Sequence, residues 1–240
     1  PNMADNAITR INKVLTKLEN YQPPTIYVDT LQEFLTHITQ TNPPLKDLIN
    51  QLLANPQKSD QILDELAQKD KALAEEIRPR IKTTLTPTII QGGTKENIIP
   101  SQCEAVFDCR VLPGQSTTTT LDLIKQLLNA IDNQKLSYEI IQIHDGNQST
   151  TQTPLYETIK TVLQEADPGC SITPTLTTGG TDSRFFRETG SICYGFHPVR
   201  PEEPNDQYEK RIHGIDERLS IENLVWGTSI FYETIKRFLT

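Results

Sequence analysis

Positive charge is in short supply in this 240-residue chain: 23 Lys and Arg stand against 31 Asp and Glu, a formal net charge of -8. Such a surface has no broad means of neutralising phosphates, which argues against nucleic acid as a partner. Long apolar runs are lacking as well. No stretch approaches the roughly 18 to 20 consecutive apolar residues that a bilayer-crossing helix needs, and the chain does not open on a basic segment followed by an apolar core. The expectation is a soluble protein with no membrane association and no export signal in these residues. Cysteine is scarce too: the four, at 103, 109, 170 and 193, are too few and too scattered for a disulfide scaffold or a zinc ribbon. Cys103 and Cys109 lie an even number of residues apart in an alternating segment, so they share a sheet face yet are too distant along it to bond. Four reduced packing residues are expected, as suits a reducing, cytoplasmic compartment. Apolar content is lean at 35%, with 22% charged residues, but it suffices for a packed core and excludes wholesale disorder.

What is present is ordered by period. From Ala4 to Asn20, Ile8, Ile11, Val14, Leu15 and Leu18 recur at helical spacing behind a capping Asp5 or Asn6. Thr30 and Glu33 form a capping-box pattern ahead of the stripe Leu31, Phe34, Leu35 and Ile38. Two more helical runs follow, one on Leu45 to Leu53 and one from Ser59 to Ile77, so that residues 21–81 read as a helical insertion. At Lys82 the period changes to two. Thr84 to Ile89 alternate as a strand that Pro87 restricts to an edge or a bulge, and Cys103 to Arg110 alternate as its partner across a turn at Gly92-Gly93. A helix bearing Leu121, Ile124, Leu127, Leu128 and Ile131 follows, then a strand around Tyr138 to Ile143. This order is most of a split β-α-β unit. Past a boundary near Asn147 the style becomes α/β: a helix opened by Pro154, strands near Ile172 to Leu176 and Ile192 to Phe196, and a last helix capped by Ser220 with Leu224, Phe231, Ile235 and Phe238 on its inner face.

Chemistry concentrates in a few places. Thr177 to Arg184 includes Gly179-Gly180-Thr181, paired glycines at a strand end that let backbone amides approach a ligand; an ordinary turn with a capping threonine is the plainer reading. It is not a Walker loop, because no lysine and hydroxyl follow at the required spacing. His213, beside Asp216 and Glu217, has the chemistry of a zinc ligand with orienting carboxylates, although a lone loop histidine is more often a solvated or hydrogen-bonded side chain. His37 and His144 read as structural, and His197, at the end of a buried strand, could face a cleft. Arg110 shares a strand face with Asp108, either as a surface ion pair or as a guanidinium presented to a substrate carboxylate.

Three segments in order, Gly92-Gly93-Thr94-Lys95-Glu96-Asn97-Ile98-Ile99-Pro100 leading to Phe107-Asp108-Cys109-Arg110, then Gly179 to Arg184, then His213 to Arg218, resemble the di-zinc metallopeptidase and amidohydrolase family of aminoacylase-1, acetylornithine deacetylase, succinyl-diaminopimelate desuccinylase, glutamate carboxypeptidase and carboxypeptidase S. Residues 1–8 are similar to the family's stretch after its lid histidine, and the helical insertion is similar to that of the carboxypeptidase S branch. The resemblance implies a ferredoxin-like, split β-α-β lid and dimerisation domain over 1–147, with its helical insertion at about 21–81. Residues 148–240 would be the C-terminal part of an α/β zinc-peptidase catalytic domain. It implies His213 as a metal ligand, Asn97 and Arg110 as lid residues holding the substrate's carboxylate or oxyanion end, at times across a homodimer, and Gly180, Thr181 and Arg184 as lining of the substrate site.

The family's other metal ligands and its paired-glutamate general base have no counterpart here. The function implied is hydrolysis of N-acyl amino acids or small peptides by a two-zinc enzyme of which this chain is a C-terminal portion. On its own the portion is expected to be inactive and to hold no zinc tightly, since a catalytic zinc takes about three protein ligands. The abrupt opening on Pro1 fits that expectation. A rival of another class is a stand-alone binding or dimerisation module that kept the lid surface and lost the chemistry.

Overall fold

A computed structural model describes residues 5–132, 135–200, 202, 211–212 and 214–240. The described part is mainly helical, with one two-stranded antiparallel sheet. The chain divides into two compact units, Pro1–Val28, Leu52–Gln61 and Ile77–Asn147 in the first, and Asp29–Gln51, Ile62–Glu76 and Gln148–Thr240 in the second.

In the first unit, α1 spans Ala7–Glu19. Asn6 accepts from the Ile8 and Thr9 amides, and the Thr9 hydroxyl accepts in return from the Asn6 amide, so the first turn's loose donors are satisfied reciprocally. Val14 and Leu18 are its buried pair. Strands β1 (Thr84–Gly92) and β2 (Cys103–Arg110) form a hairpin with Thr84 opposite Arg110 and Gly92 opposite Cys103. The register slips between Pro87 and Ile89, where proline has no N–H to give the ladder. Helix α6, Thr117–Asp132, follows. Residues 25–27 are tied to the far end of the insertion: the Ile26 amide donates to the Ile81 carbonyl at 2.8 Å, Thr25 and Ser59 share a 2.6 Å hydroxyl bond, and Lys82 reaches Asp60 at 2.5 Å.

In the second unit, α2 is Asp29–Thr41, with Leu31, Leu35 and Ile38 buried. It begins one residue before the expected capping box. Thr30 lies inside the helix, and its hydroxyl donates to the Gln148 side chain at 2.9 Å instead of capping. Helices α3 (Lys46–Ala54) and α4 (Ser59–Lys69) bring Leu48, Ile49, Leu63 and Leu66 into burial. The single run expected to continue to Ile77 is broken at Asp70, whose carboxylate accepts from the Leu73 amide and starts a separate α5, Lys71–Ile77. Helix α7, Pro154–Ala166, opens as expected on proline behind Thr153, which accepts from the Tyr156 amide. A short α8 covers Ser183–Glu188, and α9, Ile221–Leu239, is capped by Ser220 through the Asn223 amide.

Two expectations need correction. The strands expected around 138–143, 172–176 and 192–196 join no ladder among the described residues. A period of two marks a segment that can be a strand, but a strand exists only against a paired neighbour. The stripe of α9 expected to face inward, Leu224, Phe231, Ile235 and Phe238, is exposed, and the face turned inward carries Asn223, Ile230 and Thr234.

Candidate substrate site

The residues singled out for substrate fall into both units. Asn97 and Arg110 are carried by the first. Arg110 closes β2, opposite Thr84, while Asn97 lies in an exposed turn beyond the other end of the hairpin, next to the Ile98 amide that donates to the Lys95 carbonyl at 3.2 Å. From Cys103 to Arg110 the strand advances by roughly 24 Å at about 3.4 Å per residue. One lid therefore does not bring these two side chains onto one small group.

Arg110 is held by its own strand. Its Nε and Nη2 both donate to Asp108 Oδ2, at 3.0 and 2.7 Å, in a half-exposed pair. Residues two apart on a strand share a face, which is why the pair forms, and a substrate carboxylate would have to share or replace Asp108. Burial first, and the Asp108 carboxylate second, push the thiol of neighbouring Cys109 up, which keeps it protonated and a weak nucleophile.

Gly180, Thr181 and Arg184 are carried by the second unit. The loop is exposed and shaped by local bonds: the Gly179 amide donates to Thr177 Oγ1 at 3.3 Å, and the Arg184 amide donates to the Thr181 carbonyl at 3.3 Å. A methyl at position 180 would lie 3.9 Å from Arg184 Nη1, an ordinary contact, so glycine there leaves the backbone open without being required by crowding. Arg184 rests its guanidinium 4.6 Å from the Phe185 ring centre, and its Nε is buried with no hydrogen-bond partner among the described residues. Arg187, one turn on, was not among the residues expected to matter. Its Nη2 donates to the Cys193 carbonyl at 2.9 Å and fixes the loop after α8; the i, i+3 spacing from Arg184 was the available signal.

His213 lies outside the described residues. Near it, Arg218 pairs with Asp216, which has φ 63°, a left-handed conformation that aspartate tolerates in a turn. Among the described residues no three His, Cys, Asp or Glu side chains gather as a metal site. The described donors do not fit a catalytic zinc, which takes about three protein ligands. Of the other histidines, His37 bonds Ser171 at 2.9 Å and His144 bonds Gln142 at 2.8 Å, both on the exposed surface. All four cysteines are free, and no helix among the described residues is long and apolar enough to cross a membrane.

A hairpin and a helix beside an opening helix, with a helical insertion between them, are compatible with a dimerisation lid domain. The peptidase dimerisation domain matches residues 1–136. The chain belongs to the M20 metallopeptidase family. It is 28% identical to human N-fatty-acyl-amino acid synthase/hydrolase PM20D1 over 192 residues, covering 78% of this chain and 36% of that protein. With a probable carboxypeptidase S-like 2 of Dictyostelium discoideum it shares 30% over 155 residues, 65% of this chain and 29% of that one. Succinyl-diaminopimelate desuccinylase of Shewanella pealeana is 29% identical over 192 residues, 78% of this chain and 46% of the relative. The chain thus spans between 29% and 46% of the length of these relatives.

Proposed function

We propose that these residues are the lid, 1–147, and the C-terminal part of the catalytic domain, 148–240, of a zinc-dependent metallohydrolase that cleaves the amide bonds of N-acyl amino acids or small peptides. The observation that carries the reading is the dimerisation-domain match over 1–136, followed in the same chain by the Gly179 to Arg184 loop and by His213. The relatives' names, a fatty-acyl-amino acid hydrolase, a carboxypeptidase and a desuccinylase, share one chemistry, attack on an amide next to an amino acid. In this reading the lid is a ferredoxin-like unit that pairs two copies of the chain into a homodimer. Exposed Ile89, Ile90, Ile98 and Ile99 on and beside the hairpin support a covered surface there.

The spread of Asn97 and Arg110 gives each its own task. Arg110 is assigned to the substrate's carboxylate or oxyanion end, and Gly180 and Thr181, with Arg184 as a helper, to the lining of the substrate site. Asn97, at the far end of the hairpin, is assigned to a substrate held in the partner subunit. His213 is assigned as one zinc ligand; a zinc ion completed by further ligands would polarise the scissile carbonyl and acidify a bound water. Those ligands and the general base come from polypeptide outside these residues, so the chain alone is inactive and holds zinc only weakly. Its four free cysteines suit a cytoplasmic setting.

The test is metal analysis and an N-acyl amino acid hydrolysis assay on the purified chain, with sedimentation of the same sample. A dimer near twice 27.1 kDa, without stoichiometric zinc or turnover, is expected. A monomer would remove the lid pairing. Stoichiometric zinc with turnover from the 240 residues alone would overturn the division of the site.

A further inference from the structure

Helix α8 turns outward the side chains that apolar packing would turn inward. Phe185 and Phe186 are 53% and 61% exposed, whereas Arg187, the costlier residue to cover, is half-buried. A guanidinium goes inward when it has a bond to make there, and Arg187 Nη2 donates to the Cys193 carbonyl at 2.9 Å. That carbonyl has a second donor. Ser149 Oγ donates to it at 2.8 Å and accepts from the Cys193 amide at 3.3 Å, so Arg187 and Ser149 together fill both lone pairs of one oxygen. Next along, the Tyr194 phenol donates to the Thr150 carbonyl at 2.5 Å, which leaves the Thr153 hydroxyl to donate to it at 2.6 Å while accepting from the Tyr156 amide. Cys193 and Tyr194 are thus fastened to residues 149–153, and Arg187 fastens α8 to Cys193.

The two ends of α8 differ in how they are held. Its C-terminus closes on Gly190 at φ 86°, with the Ser191 amide donating to the Phe186 carbonyl at 3.2 Å and the Gly190 amide to the Arg187 carbonyl at 2.9 Å. Its N-terminus continues the Gly179 to Arg184 loop, whose bonds from the Gly179 amide to Thr177 Oγ1 and from the Arg184 amide to the Thr181 carbonyl are internal. Internal bonds shape a loop without fixing where it stands; the helix that continues it does. We infer that Arg187 is a positioning residue: acting through the Cys193 carbonyl, it holds α8 and so sets the Gly179 to Arg184 loop against the anchored 149–153 segment. The role rests on the reading of that loop as lining of the substrate site, whereas the bonds themselves do not depend on the chemistry.

Arg187→Met keeps the length of the side chain and removes its donors. In the zinc-loaded product of the complete reading frame that contains the chain, it should raise KM for an N-acyl amino acid about tenfold or more and change kcat by less than about threefold, because a misplaced lining loop weakens substrate binding. A merely structural role would lower the folded fraction, and with it kcat, and leave KM in place; that pattern would overturn the inference. Arg187→Lys keeps one charged donor and should raise KM by less than the methionine variant does, an equal effect being a second contradiction. Hydrogen exchange read by mass spectrometry on the same samples should quicken about tenfold in peptides covering 177–186 of the methionine variant and stay at the wild-type rate in those covering 149–153. Unchanged exchange at 177–186 would overturn the inference. If the methionine variant does not fold, Arg187→Gln, polar but shorter, takes its place under the same criteria. A wild-type product without turnover would defeat the hydrolase reading alone, and exchange then decides the positioning role. Wild-type turnover with unchanged KM and exchange in the variant would defeat the positioning role alone.

Discussion

Tyr27 offers a test whose size follows from the structure. Its phenol donates to the Leu52 carbonyl at 2.6 Å, and burial pushes its pKa from 10.0 up to about 12. An unfolded chain ionises this phenol near pH 10, whereas the folded chain keeps the proton until about 12. The contribution to stability is therefore complete below pH 10 and is lost as the pH rises through the window from 10 to 12. The full gap would correspond to a ceiling of about 2.7 kcal/mol. The ring is only half-buried, so solvent screening brings the expected loss nearer to about 1 kcal/mol. Tyr27→Phe removes both the proton and the hydrogen bond, at a cost of about 1 kcal/mol at neutral pH. Urea denaturation followed by helical circular dichroism between pH 8 and 11.5 should show the wild-type advantage shrinking by most of that amount above pH 10. Cys109 and Tyr156 are also pushed up by burial, but they titrate in both proteins and cancel in the difference. An advantage that does not change with pH would refute the assignment of a buried, hydrogen-bonded phenol.

Leu63 is fully buried in α4, so Leu63→Ala should destabilise by about 2 to 5 kcal/mol in the same denaturation assay. Asp60 receives Lys82 at 2.5 Å, with the lysine side chain only 14% exposed, and Arg78 at 3.7 Å. Asp60→Ala strands a mostly buried ammonium and should cost about 1 to 3 kcal/mol, measured by thermal melting at low and high salt. Gly227→Ala places a methyl 2.5 Å from the Pro198 carbonyl oxygen, on backbone that cannot turn aside, and should lower the melting temperature markedly, by about 1 to 3 kcal/mol of stability.

Local chemistry was legible in the sequence wherever it was satisfied locally. The Asn6 cap, the Pro154 start, the Ser220 cap, the Pro87 irregularity and the two hairpin strands depend on residues a few positions apart, and all are formed. Thr30 shows where this stops. Its capping pattern was real, but a partner 118 residues away, Gln148, takes the hydroxyl. The strands expected at 138–143, 172–176 and 192–196 and the stripe of α9 carry the right period, but pairing and burial are properties of neighbours, and among the described residues no strand pairs with these segments and the stripe stays exposed. Arg110 behaves likewise: the sequence offered an ion pair and a substrate ligand, and the structure shows the pair with Asp108. The distance separating Asn97 from Arg110 could not be read from their spacing, because it depends on the hairpin register.

The most direct test of the account is the rate at which the complete reading frame containing this chain, loaded with zinc, hydrolyses N-acyl amino acids, compared with its Arg110→Ala variant. The account predicts turnover by the longer product, and for the variant a raised KM or a lowered kcat with folding intact. A folded, zinc-loaded product with no turnover, or a variant with unchanged kinetics, would contradict it.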